Sequence, residues 1–240
     1  MKNILDLNKH VVALSVSLVF GLTLCESALA NTVSATYNGL TYGSSTINVK
    51  IADSNPSLSS IYTSAGSFNM VNNSNGSGFV AYCADIYQWL AGKNVSTNYD
   101  DSVSIVAKFG SAKANDLQKL VNNVYSTIDT AKESAAFQLA TWEILFQNSG
   151  SYNLSVGDFK AWDVSSSPSG AFTLAQNWLN TLNSAPSSGN YKINFLTNAN
   201  KQDLIYMTPN PVPLPAALPL MLTALGALGF VTRRRKSDAT

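Results

Sequence analysis

The stretch AAFQLATWEILF, residues 135–146, decides how this chain is read. Wound as a helix, it is apolar on nearly every side: Ala135, Ala136, Phe137, Leu139, Ala140, Trp142, Ile144, Leu145 and Phe146. A helix apolar all round is a buried helix. Gln138 then carries two donors and an acceptor into a core. Leaving that carboxamide without partners costs about 1–3 kcal/mol. Either neighbouring groups satisfy Gln138 or one of them reacts with it. Both ends of the helix are marked: Thr130-x-x-Glu133 is a capping-box pattern, and NSGS at 148–151 stops it.

Outward from that helix, the pattern predicts strands on both sides. Thr32, Ser34 and Thr36 alternate with Val33, Ala35 and Tyr37, as a half-buried strand does. NGL at 38–40 predicts a turn, and STINVKIA at 45–52 a second strand, broken by NPSLSS at 55–60. IYTSAGSFNMV at 61–71 reads as a further strand and NNSNGSG at 72–78 as a loop. FVAYCADIYQWL at 79–90 starts as a strand and is expected to end as a helix. Residues 100–109 and 112–128 read as helices, the second with Leu117, Leu120, Val121 and Val124 on one stripe. After the loop SSSPSG at 165–170, residues 171–182 form another helical pattern through Phe172, Leu174, Ala175, Trp178 and Leu179. YKINFL and KQDLIYMT, with TNAN between them, predict a closing strand pair. Strands, then helices, then strands point to an α+β fold rather than repeated βαβ units.

The ends of the chain read as targeting segments. Residues 1–30 are predicted to be a signal peptide for signal peptidase: Lys2 and Lys9, the apolar run 11–24, then ALA before Asn31. The alternative is an uncleaved anchor helix. Cys25 does not mark a lipoprotein site, because Leu24 stands where a small residue is wanted. At the other end, residues 214–232 carry no charge and have about the length of a membrane-spanning helix. Arg233, Arg234, Arg235 and Lys236 follow at once and predict a cytoplasmic stop. The segment 209–240, with Val212-Pro213-Leu214-Pro215, an apolar span and a basic tail, resembles the PEP-CTERM sorting signal of Gram-negative bacteria in a VPLP form without the Pro-Glu-Pro core. That resemblance implies an exosortase-type protease as partner, a membrane-tethered precursor, and delivery to the cell surface or extracellular matrix.

Between these signals lie about 180 residues, enough for one core or two small subdomains. This part has nine Lys, no Arg and eleven Asp or Glu, so its formal charge is 9 − 11 = −2. It offers no basic patch for phosphates, and nucleic-acid binding is not expected. The single histidine is His10, inside the predicted signal peptide. Its loss leaves no Ser-His or Cys-His catalytic pair and none of the commonest zinc sites. No cofactor is implied. With Cys25 removed, Cys83 is the one remaining cysteine. An unpaired cysteine in an exported chain is a buried inert thiol, an intermolecular disulfide partner or a reactive group.

The unpaired Cys83 and the buried Gln138 are chemically complementary. A thiol attacking a carboxamide carbon releases ammonia and leaves a thioester, which removes both anomalies in one step. Proximity and alignment alone can supply about 7–11 kcal/mol of such a barrier. Tyr82-Cys83-Ala84-Asp85, followed by Phe137 to Glu143, resembles the Y-C-x-D and Q-x-A-x-W motifs of the thioester domains of Gram-positive surface adhesins. The resemblance implies a β-sheet or barrel-like scaffold with an inserted helical subdomain over residues 31–208. It also implies a Cys83–Gln138 thioester that captures a nucleophile, such as a lysine amine, on a target. Ala140 and Trp142 fill the other places of the second motif.

The supporting residues have plainer readings beside the functional ones. Trp142 is a pocket wall or a core aromatic. Asp85 and Glu143 orient a nucleophile or move a proton, or else are a helix cap and a solvated or paired carboxylate. Tyr82 is read as packing. Two further functions compete with the thioester: a non-covalent interaction protein of the extracellular matrix, which predicts a free thiol at Cys83, and a cysteine hydrolase, which the absence of histidine opposes.

Overall fold

The computed structural model describes residues 32–42, 47–54, 57–148, 150–163, 170–186, 188–211 and Met221. The predicted signal peptide, the sorting motif and the basic tail lie outside these residues, as does all of the 214–232 span except Met221. Among the described residues no helix is long and apolar enough to cross a membrane.

The described residues open with six strands: β1 (Thr32–Leu40), β2 (Ile47–Ser54), β3 (Ser57–Ala65), β4 (Phe68–Asn72), β5 (Gly78–Cys83) and β6 (Ser96–Asp100). Helices α1 (Ile105–Phe109), α2 (Ser111–Val124) and α3 (Ala131–Phe146) follow, then β7 (Phe159–Asp163), α4 (Ala171–Asn180), β8 (Tyr191–Leu196) and β9 (Leu204–Pro209). The fold is α+β. One antiparallel sheet has the order β6-β1-β4-β5-β9-β8, and a second has the order β3-β2-β7. The six-stranded sheet curls until its edges meet. Asp100 at the end of β6 and Thr197 just past β8 exchange both backbone hydrogen bonds at 2.9 Å. Curling covers the outer strand edges, which otherwise invite pairing with other chains. Inside the curl sit Ala35, Met70, Ala81, Tyr99, Leu196 and Leu204.

The larger core lies where α3 packs between α2, α4 and the strands β2, β3, β5 and β7. Every residue from Ser134 to Leu145 is buried, which is why the sequence carries no polar face there. Its N-terminus is fixed by the predicted capping box. Thr130 Oγ1 accepts from the Glu133 N–H at 3.2 Å, and Glu133 Oε2 accepts from the Thr130 N–H at 3.1 Å.

Several local expectations are corrected. Asn38-Gly39-Leu40 is not a turn: β1 runs through it with a register shift at Gly39, whose φ of 132° suits glycine. Ser57 to Ser60 belong to β3 rather than to a break. The predicted strand 61–71 is two strands, parted at Gly66 with φ 145°. Residues 84–95 form no helix, and Asp100 ends β6 rather than starting a helix, which begins only at Ile105. β7, the short FKAWD segment, was not expected; Phe159 and Ala161 face the core there while Lys160 and Trp162 alternate outward.

Candidate functional site

Cys83 is the last residue of β5, and the way β5 ends creates the site. Cys83 is opposite Leu204 of β9, while the pairing of β5 with β4 stops at Ala81 and Phe68. Each residue of a strand points its N–H and C=O to one side. For Cys83 that side is the β4 side, where no strand continues. Gln138 takes the vacant place. Its Oε1 accepts from the Cys83 N–H at 2.8 Å, and its Nε2 donates to the Cys83 C=O at 2.8 Å. The carboxamide thus continues the ladder as one more strand residue would. Gln138 itself is fully buried, at 0% exposure.

One helical turn earlier, Ser134 does the same for β4. Its Oγ accepts from the Ser67 N–H at 2.9 Å and bonds the Ser67 hydroxyl at 2.9 Å. Residues four apart share a helix face, so Ser134, Gln138 and Trp142 form one row on α3. Tyr82 points to the helix side, its ring 4.7 Å from that of Phe137 and its hydroxyl against Ser67 and Ser134. Burial pushes its phenol up, and it is a packing residue that holds β5 to α3.

The arrangement holds a feature that attack by a thiol on the Gln138 carboxamide would use. In attack by a thiol, negative charge develops on Oε1, and the Cys83 N–H already donates to that oxygen. The step balances as follows. Sγ bonds the carboxamide carbon, the C–N bond breaks, and the thiol proton leaves on ammonia. Burial, with the Asp85 charge adding to it, pushes the Cys83 thiol well above its ordinary range. A resting thiolate of the kind that hydrolases use is therefore disfavoured. Tyr99 lies close enough to the thiol to feel its charge; burial raises its phenol to about 12, and its hydroxyl has no partner among the described residues.

Cys83 forms the floor of a cleft of about 640 Å³. β1 and β4 supply Tyr37, Leu40 and Phe68, edge strand β3 supplies Tyr62, Thr63 and Ser64, and the loop after β5 supplies Trp89 to Lys93. Trp142 forms part of the wall. It is buried, and its Nε1–H has no partner among the described residues. The loop is pinned in place. The Asn94 N–H donates to the Tyr37 carbonyl at 2.9 Å, and Gln202 bonds the Asp85 carbonyl through Nε2 and the Trp89 carbonyl through its N–H.

The other proposed supports stand apart from the cleft. Asp85 does not line it; its Oδ1 accepts from the Tyr87 N–H at 2.7 Å, closing a turn rather than capping a helix. Glu143 is not solvated. It is buried on the far side of α3, with Oε1 accepting from the Asn153 N–H and Oε2 without a partner among the described residues. Desolvation raises its carboxyl to about 7. Sequence reasoning missed Trp89, Lys93, Tyr62 and Gln202. The visible signal was an aromatic-rich run after Cys83, assigned to a helix that does not form. Among the described residues no cluster of three or more metal-ligating side chains occurs.

Comparison with protein-family models gave no match, and neither did comparison with curated proteins. Among solved structures, the N-terminal domain of the Streptococcus pyogenes pilus tip adhesin Cpa is similar at 16% identity and a TM-score of 0.41. That match covers 72% of this chain and 99% of the adhesin domain. A cysteine-to-alanine form of the N-terminal thioester domain of a Clostridium perfringens surface protein is similar at 14% identity and a TM-score of 0.40. It covers 60% of this chain and 89% of that domain. Overlap of this extent assigns neither family nor activity, and the functional reading rests on the site's own geometry.

Proposed function

We propose that this chain is an exported surface or matrix protein whose Cys83 and Gln138 form an internal thioester for covalent attachment to a nucleophile on a target. The observation that carries the reading is the reciprocal pair of 2.8 Å hydrogen bonds between the Gln138 carboxamide and the backbone of Cys83. These bonds fix the carboxamide against the backbone of the residue that carries the thiol, and the Cys83 N–H on Oε1 supports the charge that attack would develop there. The buried setting limits hydrolysis of the product, while the cleft gives a target nucleophile its route to the bond. In this reading the chain reacts once and is not an enzyme. Its tail is handled by an exosortase-type protease after export.

One observation favours the competing, non-covalent reading. The carboxamide is already satisfied by the Cys83 backbone, and the thiol is held protonated. Intact mass separates the two. The purified chain should be lighter than its calculated mass by one ammonia, and methylamine should add one methylamine to the thioester form. Cys83→Ala should show neither effect. A full calculated mass with a titratable thiol in the folded protein would sink the thioester and leave Gln138 as a structural amide.

A further inference from the structure

The cleft over Cys83 has a chemistry that selects among nucleophiles. Its two most exposed lining aromatics, Trp89 and Tyr62, are 69% and 70% exposed. A large exposed ring beside a concave site is a feature of recognition surfaces rather than of packing. Lys93 is the one charged side chain among the described lining residues, and it has no ion-pair partner among them. An incoming lysine ammonium would be desolvated beside that cation with no carboxylate in the lining to compensate.

The same features continue outside the cleft. Tyr62 is paired in register with Lys50 on β2, and Lys50 with Trp162 on β7. The Lys50 Nζ lies 5.9 Å from the Tyr62 ring centre and 5.8 Å from that of Trp162. Lys160 stands two residues before Trp162 and so shares that outward face. Neither Lys50 nor Lys160 has a carboxylate partner among the described residues. Asp158, at the start of β7, is taken by the Ser54 hydroxyl and the Asn148 N–H. From Trp89 and Lys93 through Tyr62 to Lys50 and Trp162 runs one exposed track of rings and cations.

The geometry points to an acidic polysaccharide as the target: its sugar rings stack on Trp89, Tyr62 and Trp162, its carboxylates meet Lys93 and Lys50, and one of its hydroxyls is acylated at the floor of the cleft. Flat rings suit the C–H faces of pyranoses. Cations spaced along a sheet suit a charge-repeating polymer, and Thr63, Ser64 and Gln202 offer hydrogen bonds to hydroxyls. The covalent step rests on the thioester reading above. The hydroxyl oxygen bonds the Gln138 acyl carbon, the C–S bond breaks, and the hydroxyl proton passes to the Cys83 sulfur. The product is an ester and a free thiol. Burial makes that sulfur a good proton acceptor.

The test uses the full purified chain with three probes: polyuronate oligomers, neutral glucan oligomers of equal length, and a lysine-bearing peptide. Methylamine reactivity is measured in parallel. The expected result is a mass adduct with the polyuronate that hydroxylamine cleaves, as it cleaves esters and not amides. Trp89→Ala, Tyr62→Ala and Lys93→Glu should each lower the rate of adduct formation about tenfold or more, the size of an anchor residue's loss. Trp89→Ala and Tyr62→Ala should slow methylamine less than they slow polyuronate, and Lys93→Glu should speed methylamine, whose ammonium then meets no cation in the lining. Cys83→Ala, which cannot react, should still bind polyuronate without covalent attachment, more weakly at high salt. A hydroxylamine-stable adduct with the peptide alone, in a chain that reacts with methylamine, overturns the polysaccharide assignment and spares the thioester. Failure of methylamine to react overturns the thioester and the ester step together. Failure of Cys83→Ala to bind polyuronate overturns the track.

Discussion

A thioester between Cys83 and Gln138 is a crosslink, and crosslinks have a calculable effect on stability. The two residues are 55 apart in sequence. Closing a loop of that length removes about 14 cal/mol/K from the unfolded chain's entropy, or about 4 kcal/mol at 25 °C. For a chain of this size each kcal/mol moves Tm by about 2–4 °C. Opening the bond should therefore lower Tm by about 8–16 °C. Methylamine is the clean perturbation: it cuts the crosslink yet returns an amide that can still bond the Cys83 backbone through Oε1 and its one N–H. Calorimetry before and after methylamine, on wild type and on Cys83→Ala, isolates the effect. Wild type should fall to near the Cys83→Ala value, which itself should not respond. A wild type whose Tm does not move while its mass shows complete methylamine uptake would refute the entropic reasoning. Equal Tm values for untreated wild type and Cys83→Ala would refute the crosslink itself.

On a Cys83→Ala background, where no crosslink forms, Gln138→Leu leaves the residue-83 N–H and C=O unpaired in the core, and at about 1–3 kcal/mol for each group it should destabilise by roughly 2–6 kcal/mol in urea titrations. In the wild-type background it also abolishes the crosslink, which adds the loss of about 4 kcal/mol worked out above. Glu143 gives a pH dependence of definite sign. Its folded carboxyl titrates at about 7 against an ordinary 4.5, so the folded state binds the proton more tightly and stability falls as pH rises between those values. At about 1.4 kcal/mol per pH unit the loss approaches roughly 3 kcal/mol by pH 8. Urea midpoints at pH 5 and pH 8 check it, and Glu143→Gln should flatten the difference. Trp142→Phe removes an indole N–H that has no partner among the described residues, so its stability should change by less than about 1.5 kcal/mol. Trp142→Ala should cost about 3–5 kcal/mol by thermal melts.

How much of this was legible in the sequence follows from where each signal lives. The buried helix, its capping box and its anomalous glutamine were legible because they are local: a period, a cap and one misplaced polar group. The pairing of Gln138 with Cys83 was legible as chemistry, though not as geometry. Nothing local says that β4 stops two residues short and leaves the Cys83 backbone open on one side. The run after Cys83 misled because Ile86, Tyr87, Trp89 and Leu90 resemble a helical stripe. In the fold the segment is held by Gln202, just before β9, and by Tyr37 of β1, both far away in sequence. Asn38-Gly39 carries a turn signal, yet pairing with β4 on both sides of it turns it into a bulge. The cleft was illegible for the same reason: its walls come from β1, β3, β4 and a loop, joined only by tertiary pairing.

The two readings of Gln138, structural amide and acyl donor, depend on the same bonds. A carboxamide that continued a ladder opposite any other residue would be structural only. Opposite a cysteine, the bonds that satisfy its burial also fix the carboxamide against that cysteine's backbone and place an N–H on the oxygen that would accept charge in attack. Folding therefore performs the positioning before any chemistry occurs, and no histidine is needed to hold the nucleophile. The consequence is directional. Changes that loosen β4 beside the end of β5, such as Ser134→Ala removing the matching bonds to Ser67, should slow thioester formation more than they slow capture by the finished bond. A pulse of newly folded protein, followed by mass against time, reads the first rate, and methylamine uptake by matured protein reads the second. Equal slowing of both would mean that Ser134 acts on the cleft rather than on alignment.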